Sequence, residues 1–457
     1  MIMERKKLIH FVGIGGIGIS ALAKYYLKKG WEVSGCDLVS SEVTSQLKKM
    51  GVAIRIGAPD SACSIGAERI IYSPAVSLKN PELEIRNSSL EILSYPQALG
   101  ELTKTHYTIA VSGTHGKSTT TAMLGLLLIK AGLNPTVIVG TKLKEFGNSN
   151  FRMGGRYLVI EADEHFASFL NYWPKIIVLT TVEADHLDYY KNLGNILRAF
   201  KKYILHLPQD GILVVNKDDK NIGKILHTLN STTVKNRVYF SMLQKEAGRL
   251  RKLLKIPGEH NVADALAALT AARVLGVDDK ISFASLSQYK GSWRRFELFN
   301  IKKPKPYTLV SDYGHHPTKV RVTVEGARSK WPRKKIWLVY QPHQYARTYY
   351  LFKDFVKVLA SLAIEKLILA DIFDVAGREN DSVRKKVSSE KLYKAIVKSN
   401  PPAGGRNKNM EVSYIPDSRP FTKIGEYLKK NIKGGEIVMI MGAGDIYNFT
   451  LRLTQGL

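Results

Sequence analysis

Ile109 to Thr121 reads IAVSGTHGKSTTT: an apolar run, a glycine-bounded turn, and the first turn of the helical stretch STTTAMLGLLLIKAG. A strand that turns sharply into a helix must be covered by that helix, so this one segment commits its part of the chain to α/β layers. The turn also carries chemistry. Backbone N–H groups of a glycine-rich turn and of a helix N-terminus form an anion site, Lys117 adds a point charge suited to β/γ phosphates, and Ser118 offers magnesium a hydroxyl. The fit to the phosphate-loop pattern G-x-x-x-x-G-K-[ST] is incomplete: Gly116, Lys117 and Ser118 are in place, but Val111 stands where the first glycine belongs. The competing reading is a plain strand–helix turn with a surface lysine. Placement between an apolar strand and an apolar helix argues against it.

The same alternation of strand and helix runs through most of the 457 residues, a length that suggests two to four domains. LIHFVGIGG, VSGCD, RIIYSPAV and LEILSYPQALG form a first unit; YTIAVSG, YLVIEADE, IIVLTTVEADH and ILVVN form a second, closed by the helix HNVADALAALTAARVLG. TLVSDYG, KIWLVYQP, KLILADIF and EIVMIMGAGD form a third. The central strands are apolar on both faces, as parallel strands covered by helices on each side must be. The expectation is three Rossmann-like domains in series, 1–104, 105–297 and 298–457, with ligands at strand C-termini. A 44% hydrophobic, 24% charged composition is that of a soluble globular protein. Cys36 and Cys63 form no disulfide framework or zinc pattern, no secretory leader is read, and no apolar run approaches the ~18 residues of a membrane span. A cytoplasmic enzyme is expected.

Other turns follow strands. GIGGIG places Gly13, Gly15 and Gly18 in dinucleotide-fingerprint spacing, with Asp37 about twenty residues on, which makes an NAD-dependent oxidoreductase a rival reading. The fingerprint reports only a diphosphate and a ribose, and no residue set for hydride transfer follows it. IEADEH and VEADHLDYY put Glu161, Asp185 and His186 in acidic turns; Glu161 suits magnesium, which prefers oxygen, whereas a lone histidine is more often structural or an acid/base. SDYGHHP and QPHQYARTYY add Asp312, Tyr313, His315, His316, His343 and Arg347, the arginine being suited to fork onto a carboxylate. The net charge of +28 admits a basic nucleic-acid-binding protein, anionic substrates or a lysine-rich surface. No nucleic-acid-reading motif accompanies it, which favours the last.

Ten stretches in order, HFVGIGGIGIS, VSGCDL, AVSGTHGKSTTT, EADE, VEADHLDYY, GEHNVADALAA, RRFE, DYGHHP, QPHQYART and MGAGDIY, resemble the Mur ligases over essentially the whole chain. That family's ATP loop is G-T-x-G-K-[ST]-T, which needs no glycine at Val111. The resemblance implies an ATP-dependent ligase of peptidoglycan precursor synthesis that joins L-alanine to the lactyl carboxylate of UDP-N-acetylmuramic acid through an acyl phosphate. A recycling ligase that adds an intact tripeptide is the near alternative. It further implies that Gly113, Thr114, His115, Gly116, Lys117, Ser118 and Thr119 hold ATP, with Asn261 and Asp264 by adenine and Arg294 near the phosphates. Ser118, Glu161 and His186 would surround Mg2+ or Mn2+, and Gly13, Gly15, Gly16, Ile17, Gly18, Asp37 and Ser73 would hold the UDP-sugar. Tyr313, His315 and Arg347 would receive the amino acid, His315 holding its amine or taking its proton.

Four departures stand out. HNVADA replaces the usual HNVxNA, so Asp264 accepts but cannot donate. Gln344 stands where many relatives carry arginine, and His165-Phe166 follows EADE in place of a polar pair. The stretch from Asp219 to Gly258 is short, which predicts one or two missing edge strands.

Overall fold

The computed structural model describes residues 7–84, 90–229, 234–303, 305–375, 381–399 and 410–456. Strands β1 (Leu8–Val12), β2 (Glu32–Asp37), β3 (Ala53–Ile56), β4 (Arg69–Tyr72) and β5 (Glu91–Ser94) form a parallel sheet in the order β3-β2-β1-β4-β5. The order reverses between β1 and β4. A doubly wound sheet opens a crevice at such a point, and the GIGGIG turn follows β1 there while Ser73 follows β4.

The second sheet is built from β6 (Tyr107–Ser112), β7 (Thr136–Leu143), β8 (Ser149–Arg152), β9 (Tyr157–Ala162), β10 (Ile176–Leu179), β11 (Ile212–Asn216) and β12 (Asn236–Phe240). Its order is β12-β11-β10-β6-β9-β7-β8, parallel except for the β8 edge. The hairpin of β7 and β8 escaped sequence reading. In the short 219–258 segment β12 is present as the edge strand, followed by the helix Lys245–Leu253; residues 230–233 of that segment lie outside the described residues.

β13 (Glu297–Ile301), β14 (Tyr307–Asp312), β15 (Ile336–Tyr340), β16 (Lys366–Leu369), β17 (Glu411–Tyr414) and β18 (Ile437–Met441) make the third sheet, ordered β13-β14-β18-β15-β16-β17 with β13 antiparallel. Its two-sided burial is explicit. Val310, Leu338 and Met439 belong to one core cluster, while their neighbours Leu309, Val339 and Val438 belong to another. Side chains alternate across a strand, so both faces are apolar and both are covered. No helix among the described residues is long and apolar enough to cross a membrane.

The chain forms two compact units. One comprises Met1–Val182, Leu197–Gln244 and Asp264–Leu286; the other comprises Glu183–Ile196, Lys245–Ala263 and Ser287–Leu457. The first unit therefore holds the first two sheets, joined by buried polar contacts. Lys24, on the helix Ile17–Lys28, donates to Asn150 Oδ1 at 2.7 Å, and Asn150 Nδ2 donates to Ser20 Oγ at 3.1 Å. Burial, with the nearby charge of Lys142, brings the Lys24 ammonium down to about 8.

The helix Tyr95–Thr105 shows what else holds this unit. A Cβ on its Gly100 would lie 2.3 Å from the carbonyl oxygen of Asn171, inside contact distance. In an open helix Gly→Ala stabilises by about 1 kcal/mol. Here overpacking reverses the sign, and Gly100→Ala should destabilise by about 1–3 kcal/mol. A lowered thermal midpoint is the expected outcome; a raised one would show that this helix does not pack on Asn171.

Candidate active site

Strand register builds the phosphate loop. β6 pairs Val111 with Glu161 of β9 and Ser112 with Leu179 of β10, so the turn leaving β6 is flanked by Asp163 on one side and Thr180-Thr181 on the other. Thr114 N–H donates to Thr181 O at 2.8 Å and His115 N–H to Thr181 Oγ1 at 3.1 Å, while Thr180 Oγ1 donates to the carbonyls of Ser112 and His115. Gly113 has φ +136 and a Cβ there would fall 2.2 Å from Thr180 Oγ1; Gly116 has φ +84 and a Cβ there would fall 2.2 Å from Asp264 Oδ1. Both positions require glycine, for conformation and for space. Val111 is fully buried inside β6, which is why no glycine is needed there. The helix Lys117–Lys130 starts from Gly116 without a side-chain cap, which leaves its N-terminus for an anion.

Lys117 Nζ donates to Gly113 O at 2.8 Å and to Glu164 Oε2 at 2.7 Å, with Asp163 Oδ1 at 3.4 Å. Burial opposes its charge, but the two carboxylates outweigh that and hold the ammonium above its usual range. Burial also pushes the Glu164 carboxyl up. Glu161 is anchored differently: its Oε1 accepts the Gly140 N–H of β7 at 2.6 Å. Ser118 and Thr119 are buried in the first helical turn. Ser118, Glu161, Asp163 and Glu164 are hard oxygen donors of the kind that suits a magnesium ion, so the chemistry of this donor set fits one.

In the first sheet, Gly15 N–H donates to Asp37 Oδ2 at 2.8 Å, and a Cβ on Gly13 (φ +76) would lie 3.1 Å from Ser73 Cβ. Gly13, Gly15, Asp37 and Ser73 are thus brought together. Gly16 precedes the helix Ile17–Lys28, which again has no side-chain cap. Gly18, in its first turn, faces Tyr95: a Cβ there would lie 3.0 Å from Tyr95 Cζ and 3.1 Å from its hydroxyl. Burial raises the Tyr95 phenol, and the charges of Glu161 and Asp163 add to it. Tyr95 thus touches the first glycine turn and feels the carboxylates at the end of β9.

The helix Glu259–Val274 carries both Asn261 and Asp264. Asn261 Nδ2 donates to Pro257 O at 2.6 Å, and Asp264 lies against Gly116 as described.

The second unit gathers His186, Arg347, His315 and Tyr313. Arg347 and Asp185 are both buried, with Nε donating to Asp185 Oδ1 at 3.0 Å; that oxygen also accepts the His186 N–H at 2.8 Å. Arg347 Nη1 donates to Gln344 Oε1 at 3.0 Å. Among the described residues its Nη2 has no partner, and Asp185, His186, Arg347 and Tyr350 line a small cleft. Burial alone would raise the Asp185 carboxyl, but Arg347 and then His186 hold it well below the usual range. His186 itself sits at φ +52, which turns the chain there.

His315 Nδ1 lies 2.9 Å from Tyr313 O, and a carbonyl only accepts, so Nδ1 carries the proton and Nε2 the lone pair. Burial and the Arg347 charge push this imidazole well below its usual range. It is a neutral acceptor, better suited to holding an amine than to storing its proton. His316 lies 3.2 Å from Ala184 O through Nε2 and caps the helix Pro317–Lys330 through Nδ1, accepting from Thr318 N. Arg294, at φ +58, donates through Nη2 to Gly442 O at 2.7 Å and stacks over Tyr313 and Tyr447 at 4.7 and 4.9 Å. Its Nε is buried without a hydrogen-bond partner. Sequence reasoning gave no role to Tyr95, Glu164, Asp185, Thr180 or Thr181. The signal was present for Glu164 and Asp185, since a buried cation demands a carboxylate and each stands in an acidic turn.

Residues 8–107 match the family described as Mur ligase family, catalytic domain; residues 111–272 match the Mur ligase middle domain; residues 294–444 match the Mur ligase glutamate ligase domain. A UDP-N-acetylmuramate–L-alanine ligase of Acetivibrio thermocellus is 36% identical, covering 96% of this chain and 94% of that one. The protein of the same name from Clostridium tetani is also 36% identical, covering 96% of each. In fold, the chain is similar to the crystal structure of a UDP-N-acetylmuramate–alanine ligase of Thermotoga maritima, with a TM-score of 0.77, 24% identity and 99% of each chain covered.

Removing one partner of the Arg347–Asp185 pair leaves a buried charge, so Asp185→Ala should destabilise the second unit by about 3–5 kcal/mol in denaturant titration. The folded Asp185 value lies below the unfolded one. Its contribution is therefore complete above the ordinary carboxylate value of 3.8 and is lost only as pH falls below it. Between pH 8 and pH 5 the effect of the substitution should be constant; an effect that vanished near pH 6 would show that the pair is not the source.

Proposed function

The chain belongs to the Mur ligase family, and we propose that it joins L-alanine to UDP-N-acetylmuramic acid at the expense of ATP, releasing ADP and phosphate, in cytoplasmic synthesis of peptidoglycan precursors. The observation that carries this reading is the pairing of two glycine turns in one compact unit. The GIGGIG turn suits a nucleoside diphosphate and the GTHGKS turn a triphosphate, and Tyr95 stands against Gly18 within the field of Glu161 and Asp163. A hydride-transfer enzyme has no use for the second turn, and a nucleic-acid-binding protein has none for either. The names of the relatives at 36% identity support alanine as the acceptor. The bounds of the three family matches support domains 1–104, 105–297 and 298–457.

In this reading a lactyl carboxylate oxygen attacks the γ-phosphorus, ADP leaves, and the alanine nitrogen then attacks the acyl-phosphate carbon as phosphate leaves. The first step brings two anions together. Lys117, held protonated by Glu164 and Asp163, offsets charge on the transferring group, and the uncapped helix N-terminus at Gly116 adds its N–H groups. Ser118 and Glu161 would hold magnesium or manganese, which would supply Lewis-acid neutralisation of phosphate oxygens. Arg347 Nη2 takes the alanine carboxylate beside Tyr313, and His315 Nε2 accepts from its amine.

An ADP-release assay across free amino acids, with and without UDP-N-acetylmuramic acid, tests the reaction. Alanine should give the highest turnover, and ADP release indifferent to the sugar nucleotide would sink the proposal. Lys117→Ala should abolish ADP release and leave UDP-sugar binding intact by calorimetry. For the amino-acid pocket, Arg347→Lys is the informative change, because lysine keeps a charge beside Asp185 but lacks the planar fork. Loss of one charge-assisted contact should raise the alanine KM roughly ten- to a hundredfold, with the ATP and UDP-sugar constants unchanged. Unaltered alanine kinetics would move the carboxylate site elsewhere.

A further inference from the structure

The excess positive charge has no part in the ligase reading, and the third sheet gathers some of it at one edge. β14, β15 and β18 run parallel, so Tyr307, Ile336 and Ile437 begin at one edge and Asp312, Tyr340 and Met441 end at the other. Strands of this length hold the two edges about 17 Å apart. Tyr313, His315 and Gly442 follow the second edge. At the first edge lies a shallow, open groove with a cavity volume of about 50 Å³, floored by Ile301, Tyr307, Leu428, Ile432 and Leu453.

Lys303, Lys305 and Lys429 line that groove. Further exposed lysines stand close by: Lys302 beside Lys303, Lys430 and Lys433 beyond Lys429, and Lys334, whose Nζ lies 3.5 Å from where a Cβ on Gly435 would stand, with Lys335 next to it. Most nearby carboxylates are already engaged. Glu436 is buried and accepts the N–H groups of Lys433 and Gly434, and Glu365 is paired with Arg328 at 3.0 Å; Glu426 is exposed, one turn before Lys429. An apolar slot inside a ring of flexible ammonium groups complements a ligand with an apolar body and an anionic head. Lysine stems can lie along apolar surface while their charges reach outward. A nucleic acid would use the charges but has nothing for the slot, and the one aromatic ring on its floor, Tyr307, is buried rather than offered for stacking.

We propose that this edge of the third sheet docks on the surface of an anionic lipid bilayer, with lipid phosphates on the lysines and acyl chain in the groove. The contact is peripheral. It leaves the opposite edge, with its candidate catalytic residues, facing away from the bilayer.

Vesicle co-sedimentation with the full chain tests this. Wild type should sediment with phosphatidylcholine vesicles containing phosphatidylglycerol, but not with phosphatidylcholine alone, and added salt should release it. The triple variant Lys303→Glu, Lys305→Glu, Lys429→Glu should lose roughly a hundredfold in partitioning, from the contribution of a lysine near an anionic surface. The variant Lys48→Glu, Lys49→Glu, Lys79→Glu changes net charge equally on exposed residues elsewhere and should lose less than about threefold. Dihexanoyl-phosphatidylglycerol below its micellar concentration should displace the vesicles where glycerol 3-phosphate does not. Equal losses in the two triple variants, displacement by both solutes alike, or patch-dependent binding to DNA without binding to vesicles would each overturn the proposal. ADP release should persist in both variants, which separates failure here from failure of the ligase reading.

Discussion

The register of β6 between β9 and β10 is the constraint on which the rest of the first unit depends. Pairing Val111 with Glu161 and Ser112 with Leu179 puts the loop leaving β6 between an acidic turn and a pair of threonines. A shift of one residue would carry each side chain to the other face of the sheet, so burial on both faces locks the alignment. Lys117 then meets Glu164 and Asp163 without any flexible segment having to find them. The positive φ values of Gly113 and Gly116 follow from the same packing, because Thr180 and Asp264 occupy the volume where side chains would stand.

Desolvation organises the second unit in the same way. Arg347 and Arg294 are both buried, and each is compensated by a different device: a carboxylate for Arg347, backbone carbonyls and aromatic faces for Arg294. Asp185, by accepting from both Arg347 and the His186 backbone, fixes the position of His186 as well. His315, kept neutral beside these charges, can only accept through Nε2. A proton-accepting role is thereby weakened and a positioning role strengthened by burial rather than by any change of residue type.

The parallel strands, the two glycine turns and the helix after each were legible because their signals are local: apolar runs, left-handed glycines and cap residues act within a few residues of themselves. β7 and β8 were missed because TVIVGTKL is interrupted by Gly140, whose N–H goes to Glu161 of another strand, and SNFR is only four residues long. Tyr95 lies in the stretch LEILSYPQALG and opens the helix Tyr95–Thr105. Its contact with Gly18 joins residues far apart in the chain, and no period or motif encodes such a contact.

Sequence by itself determined the α/β class, the resemblance to Mur ligases and the residue types available for phosphate, metal and carboxylate binding, because each of these is carried by composition within a short window. Only the tertiary structure decided which carboxylate meets Lys117, which partner neutralises Arg347, and which nitrogen of His315 carries its lone pair. Those outcomes rest on desolvation and on strand register, which are properties of the packed chain. The same holds for the basic edge of the third sheet: its lysines are scattered in sequence and become a patch only where parallel strands begin together.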